Sequence, residues 1–160
     1  MFIRMVTPED KTKWIALSHE YDDYVKELIS DLTEWYEGNE TSISFENYMN
    51  AKISQNEAFI AMCDHNKDCF GIIAISLKNN RITFFGITHK CNFMNAGELL
   101  LDYALNLLNE NADISTNIIK STAKQIQNEY DLFSRYGFSH FSDGLENGAP
   151  VKVMVRKCQI

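Results

Sequence analysis

A chain of 160 residues, 45% hydrophobic and 23% charged, can bury a full core without disulfides or a structural metal, which excludes a small stapled scaffold. Its formal net charge of −7 argues against nucleic acid as a partner, because phosphate contacts need clustered Lys and Arg. No run approaches the roughly 18 apolar residues of a membrane span, and Met1-Phe2-Ile3-Arg4-Met5-Val6 lacks the length and cleavage site of a signal peptide.

In chain order, Phe2 to Val6 reads as a first strand. Thr7-Pro8-Glu9-Asp10 predicts a helix start, with Thr7 as N-cap and Pro8 at the first helical position. Trp14, Leu17 and Tyr21 continue that helix on one face, and a break is expected near Asp22-Asp23. Val25, Leu28, Leu32 and Trp35 form a second apolar stripe ended by Gly38, and a short helix follows from Ser44 to Ser54. Between Glu20 and Glu40 eight acids face one Lys, so this segment carries the whole charge imbalance. The pattern fits a solvated helix face, or a funnel for a cation walled by Tyr21, Tyr24, Trp35 or Tyr36.

Ala58 to Cys63 and Cys69 to Leu77 predict two strands around a polar tip, and Lys78-Asn79-Asn80 a tight turn into a third, Arg81 to Ile87. Helical spacing restarts at Ala96, Leu100, Tyr103 and Ala104 and runs to about Asn109. Ile114 to Lys120 reads as a strand and Ala123 to Tyr136 as a helix capped by Gly137. Phe138 to Phe141 and Val151 to Arg156 close the chain as strands, with turns around Asp143-Gly144 and Asn147-Gly148. With no repeat or linker, the order gives one domain over residues 1–160, an α+β or α/β layered fold with a mixed sheet. Cys63, Cys69, Cys91 and Cys158 form neither a C-x-x-C pair nor a zinc set, so the expectation is no metal and a reduced, cytoplasmic compartment.

The segment from Arg81 to Leu105 joins an apolar strand, a polar loop and a helix N-terminus, where orphan amides and the helix dipole favour a pyrophosphate. Registered on Gly97, it resembles the acetyl-CoA-binding motif of the GNAT acyltransferase superfamily, Val-x-Pro-x-x-(Arg/Gln)-x-x-Gly-x-(Gly/Ala) followed by Leu-Leu. Ile87 falls on the valine and Leu100-Leu101 on the leucine pair. His89, Asn92 and Asn95 depart from the pattern at the proline, the Arg/Gln and the first glycine. Leu132-Phe133-Ser134-Arg135-Tyr136-Gly137-Phe138 is similar to a second motif of that superfamily, with Phe133 where a tyrosine usually stands.

The resemblance implies a mostly antiparallel sheet with helices on both faces and acetyl-CoA as co-substrate. Cofactor contacts are expected from Phe85, Gly86, Ile87, Asn92, Phe93, Met94, Asn95, Ala96, Gly97 and Asn128. The loop Asn92 to Gly97 would offer backbone N–H groups to the pyrophosphate. Gly86 marks a bulge, and the Ile87 amide would polarise the thioester. Phe133 cannot donate a proton to the leaving thiolate, so Tyr130, one turn earlier, is the expected acid, with Tyr136 or water as substitutes. Glu20, Glu27 and Glu34 share one helix side and His89 ends the strand; of these Glu27 is chosen as the base. The function expected is N-acetylation of a primary amine on a small, cationic acceptor in a ternary complex. A GNAT-fold module that binds CoA without turnover, or a pure interaction domain, are the alternatives. A small-molecule acceptor and a homodimer are the partners the resemblance allows; nucleic acid and membrane are not expected.

Overall fold

The computed structural model describes residues 1–30, 41–64, 69–88, 93–146 and 149–158. Its elements are β1 (Phe2–Met5), α1 (Lys11–Ser30), α2 (Thr41–Ser54), β2 (Ala58–Met62), β3 (Cys69–Ser76) and β4 (Arg81–Ile87). They are followed by α3 (Phe93–Leu107), β5 (Ile114–Ile119), α4 (Lys124–Arg135), β6 (Phe138–Glu146) and β7 (Ala149–Arg156). The strands form one sheet in the order β1-β2-β3-β4-β5-β7-β6, antiparallel except where β4 meets β5. The α+β class expected from the sequence is the one observed.

Strand alternation divides the interior into two cores, one on each sheet face. On β2, Phe59 and Ala61 turn to the face covered by Leu100 and Ala104 of α3 and by Ile126, Leu132 and Phe133 of α4. Ala58, Ile60 and Met62 turn to the other, against Trp14 and Leu17 of α1 and Met49 of α2. Trp14 is fully buried and its Nε1–H donates to the Phe59 carbonyl at 3.1 Å, so the ring has a polar partner in a dry site.

Helix α1 begins later than the proline suggested and shows no break at Asp22-Asp23. Thr7 to Asp10 forms a turn, and Asp10 supplies the first helical acceptor, its carbonyl receiving the Trp14 N–H at 2.9 Å. The Asp10 carboxylate accepts from the Thr7 N–H (2.9 Å), from the Thr7 hydroxyl (2.8 Å) and from both terminal nitrogens of Arg4 on β1. Burial pushes this carboxyl up, but the Arg4 and Thr7 hydrogen bonds outweigh it and hold it at about 2. Its stabilisation is therefore complete above the unfolded value of 3.8 and is lost as pH falls through 2. Asp10→Ala should cost about 2 kcal/mol at pH 7. Urea unfolding would show this gap, and the gap should close toward pH 2.

The C-terminal hairpin is longer than the sequence suggested. Strand β6 continues through Asp143 and Gly144, which pair with Lys152 and Val151 instead of turning. Most of β6 is exposed, so no apolar alternation marked its extent, and the ladder to β7 carries it. Gly137 has φ +91° and ends α4 as expected. Asn80 has φ 51° and closes the β3–β4 turn.

Candidate active site

Strands β4 and β5 meet at one register pair, Arg81↔Ser115, supported by a hydrogen bond from Thr116 Oγ1 to the Ile82 carbonyl (3.1 Å). Beyond it the strands part, and the sheet opens toward the end of β4. On its other side β4 stays paired, with Gly86 opposite Ile72 and Ile87 opposite Gly71. The Thr88 N–H donates to the Phe70 carbonyl at 2.9 Å, toward β3. Successive N–H groups of a strand point to opposite edges, so the Ile87 N–H points into the opening.

The irregularity expected at Gly86 lies three residues earlier. Ala74 pairs with Phe84 and Ile75 with Ile82, which makes Thr83 the extra residue. Gly86 serves packing: a Cβ there would lie 3.3 Å from Tyr21 Cγ and from Phe84 Cε1. Its absence lets Tyr21 of α1 lie directly on the strand, edge-on to Phe84 with ring centroids 5.3 Å apart.

A cleft of about 190 Å³ opens here, lined by Leu17, Glu20, Tyr21, Tyr24, Ile87 and Gln125. Leu17, Tyr21 and Tyr24 follow at intervals of four and three, so one face of α1 supplies the wall. Glu20 is exposed, with its Oε1 3.4 Å from the Thr88 hydroxyl at the end of β4. From the opposite face α4 contributes Gln125, and Glu129 lies one turn further on, buried behind the lining.

Glu129 is 4% exposed, and its Oε2 accepts a hydrogen bond from the Tyr21 hydroxyl at 2.7 Å. Burial pushes the carboxyl from 4.5 up to about 8, and the Tyr21 hydrogen bond offsets this only in part. Burial and the neighbouring Glu129 charge raise Tyr21 well above its ordinary 10.0 in turn. The two residues sit on helices that pack against opposite faces of the sheet, and their bond passes the point where β5 has diverged from β4. Neither was picked as a catalytic residue from the sequence, although Tyr21 was named as a wall. The signal for Glu129 is its position between Ile126 and Leu132, an acid inside the buried stripe of an amphipathic helix.

On the cofactor side, α3 starts at Phe93, so its first turn is Phe93–Ala96 and its amides point out of the helix N-terminus. Asn95 is exposed and Ala96 buried. Asn92 lies outside the described residues, as do the side chains of Phe93 and Met94. Gly97 is not in the loop but inside α3, and a Cβ on it would lie 2.4 Å from Leu132 Cδ2. The space freed by this glycine is taken by α4, not left for a diphosphate. Glu98 pairs with Arg135 and Asp102 with the Tyr136 hydroxyl (2.9 Å), joining α3 to α4 further along.

These elements form a known arrangement. A family model described as an acetyltransferase (GNAT) domain matches residues 22–156. The chain belongs to the GNAT acetyltransferase family. Solved GNAT structures share its fold at low identity. A GNAT-family acetyltransferase from Bacillus cereus ATCC 10987 is 13% identical with a TM-score of 0.68, over 99% of this chain and 97% of that one. A GCN5-related N-acetyltransferase from Rhodopseudomonas palustris is 16% identical with a TM-score of 0.71, over 97% and 94%. A ribosomal-protein-alanine N-acetyltransferase from Brucella melitensis is 12% identical with a TM-score of 0.64, over 98% and 99%. No curated protein matches the sequence. Family membership supports acyl transfer as the general chemistry.

Within this GNAT domain, Phe85 and Ile87 are buried beside the opening, and Ile87 reaches the cleft. Phe133, at the motif-tyrosine position, is fully buried and edge-on to Phe85 and Phe138, each at 5.2 Å. Tyr130 turns to β7, where the Lys152 ammonium sits 4.5 Å from its ring centre, and it does not line the cleft. Asn128 is half-buried on α4. The side chain of Glu27, all of Glu34 and His89 lie outside the described residues. Among the described residues no His, Cys, Asp and Glu group could hold a metal, and no helix is long and apolar enough to cross a membrane. Cys63, Cys69 and Cys158 are free thiols.

Proposed function

We propose that the protein is an acetyl-CoA-dependent N-acetyltransferase acting on a primary amine of a small, cationic acceptor, by direct attack in a ternary complex. The observation that carries this reading is the parting of β4 from β5 after Arg81↔Ser115, which aims the Ile87 N–H into an opening backed by a cleft. The edge of β4 from Phe85 to Ile87 would run along the pantetheine arm, and the α3 first turn would hold the diphosphate. Acetyl-CoA supplies the activated acyl carbon. The Ile87 N–H would then stabilise negative charge gathering on the acyl oxygen.

The acceptor would enter from the α1 side. Tyr21 and Tyr24 offer aromatic faces and Glu20 stands exposed at the cleft, while the sequence from Glu20 to Glu40 carries eight acids against one Lys. Phenylalanine at position 133, which brings no hydroxyl to the motif position, favours one rival, a CoA-binding module without turnover.

Two measurements decide between them. Calorimetry should show CoA binding, and a thiol-release assay with acetyl-CoA should give turnover with a cationic amine. Acceptor KM should rise with ionic strength, since an 8 Å Debye length at physiological salt screens an exposed field. Binding without thiol release would leave the module reading, and no binding would overturn both.

A further inference from the structure

We propose that Glu129 and Tyr21 form the proton-transfer pair of this site: Glu129 takes the proton shed by the acceptor nitrogen, and Tyr21 supplies one to the departing sulfur. The assignment rests on the acyl-transfer reading. It starts from a side chain that the fold does not need. Glu129 occupies a stripe position whose neighbours Ile126, Leu132 and Phe133 are all in the core, where an apolar residue would pack without the cost of burying a carboxylate. Its hydrogen-bond partner comes from 108 residues away, on a helix of the other layer. The contact exists because β5 has left β4 at this level, the same opening into which the Ile87 N–H points.

The cleft reaches Tyr21, and Glu129 lies behind it at the end of the Tyr21 hydrogen bond. Tyr21 lines it directly, Gln125 lines it one turn before Glu129 on the same α4 face, and Ile87 closes it from the strand. No hydroxyl comes from Phe133, and Tyr130 faces Lys152 instead. Among the described residues, Tyr24 of α1 and Glu146 of β6 also raise Tyr21, and Glu20 of α1 lines the same cleft.

The step balances within the pair. The amine nitrogen forms a bond to the acyl carbon and the carbon–sulfur bond breaks, its electrons leaving on sulfur. The extra proton on nitrogen passes to the Glu129 carboxylate. Tyr21 gives its hydroxyl proton to sulfur and regains one from Glu129, which returns both groups to their starting state. The net change is one proton moved from nitrogen to thiolate, with no other reactant.

The test is the pH dependence of thiol release with acetyl-CoA and whichever of spermidine, glucosamine or a glycyl peptide reacts fastest. Wild type should rise with pH through a midpoint near 8, where the Glu129 carboxyl ionises, and level off above it. Glu129→Gln, which keeps the shape and an acceptor for Tyr21, should lose at least about 100-fold in kcat and lose that limb. Tyr21→Phe should lower kcat at an unchanged acetyl-CoA KM and move the limb to higher pH, because Glu129 loses the bond that favours its charged form. That shift survives as a test even if Glu129→Gln fails to fold. A purely structural bond predicts lower melting temperatures with the pH limb unmoved in both variants, and that result would overturn the pair while leaving the acyl-transfer reading intact. Absence of CoA binding in wild type would sink the acyl-transfer reading itself, and CoA binding without thiol release from any of the three amines would remove the turnover that the pair requires.

Discussion

Gly97→Val should destabilise the protein by about 3 kcal/mol, because a Cβ at this position falls 2.4 Å from Leu132 Cδ2 and two further methyl groups follow it. Helices α3 and α4 touch here, Leu132 is fully buried, and Ile87 Cδ1 and Phe85 Cζ lie 3.3 and 3.6 Å from the same point. A core packed to crystal density has nowhere to move the leucine, so the helices must separate. For a chain of this size that is a fall of roughly 10 °C in melting temperature. CoA binding should fall with it, as a consequence of the fold and not of a blocked diphosphate. A double-mutant cycle checks the cause. Gly97→Ala with Leu132→Ala should be less destabilised than the two single changes added together, because the new methyl enters the vacated space. Strict additivity would mean that the clash is relieved elsewhere.

The second large effect is a pH dependence of stability with an unusual sign. The Glu129 carboxyl titrates at about 8 in the fold against 4.5 when unfolded. Between those values the folded state holds a proton that the unfolded state has lost, so stability falls as pH rises and levels off above 8. The slope approaches about 1.4 kcal/mol per pH unit, so between pH 5.5 and 8.5 Glu129 alone should remove about 3 kcal/mol. Urea unfolding of wild type and Glu129→Gln across this range isolates the term, since glutamine does not titrate. The variant should gain on wild type as pH rises. A constant difference would place the carboxyl near its ordinary value and remove the desolvation account. Asp10 acts in the opposite sense and in another window, between 3.8 and 2, so the two do not overlap.

These two residues also mark how far the sequence could be read. Its local signals placed most elements, and failed at the start of α1, at Asp22-Asp23 and at Asp143-Gly144. The run of β-branched and aromatic residues from Ile82 to Ile87 gave a central strand, the spacing of Ala96, Leu100, Tyr103 and Ala104 gave α3, and Gly137 gave the end of α4 at a positive φ. The two degenerate motifs, in order, gave the family and with it the sheet. Site assignments fared less evenly, because a motif position says which backbone is near a ligand but not which way a side chain turns. Ile87 came to the opening, whereas Tyr130 on the neighbouring helix went to Lys152.

By itself, then, the sequence determined the elements, their order and the class of chemistry, since propensity, periodicity and motif spacing act over a few residues to a few tens. The tertiary structure decided the rest. It put the bulge at Thr83, because register is settled between β3 and β4 and not within either. It gave Gly97 to Leu132 and Gly86 to Tyr21, because a missing Cβ takes its meaning from what approaches it. It brought Tyr21 to Glu129 across 108 residues, since the parting of β4 from β5 lets side chains of two helices on opposite faces meet in a hydrogen bond.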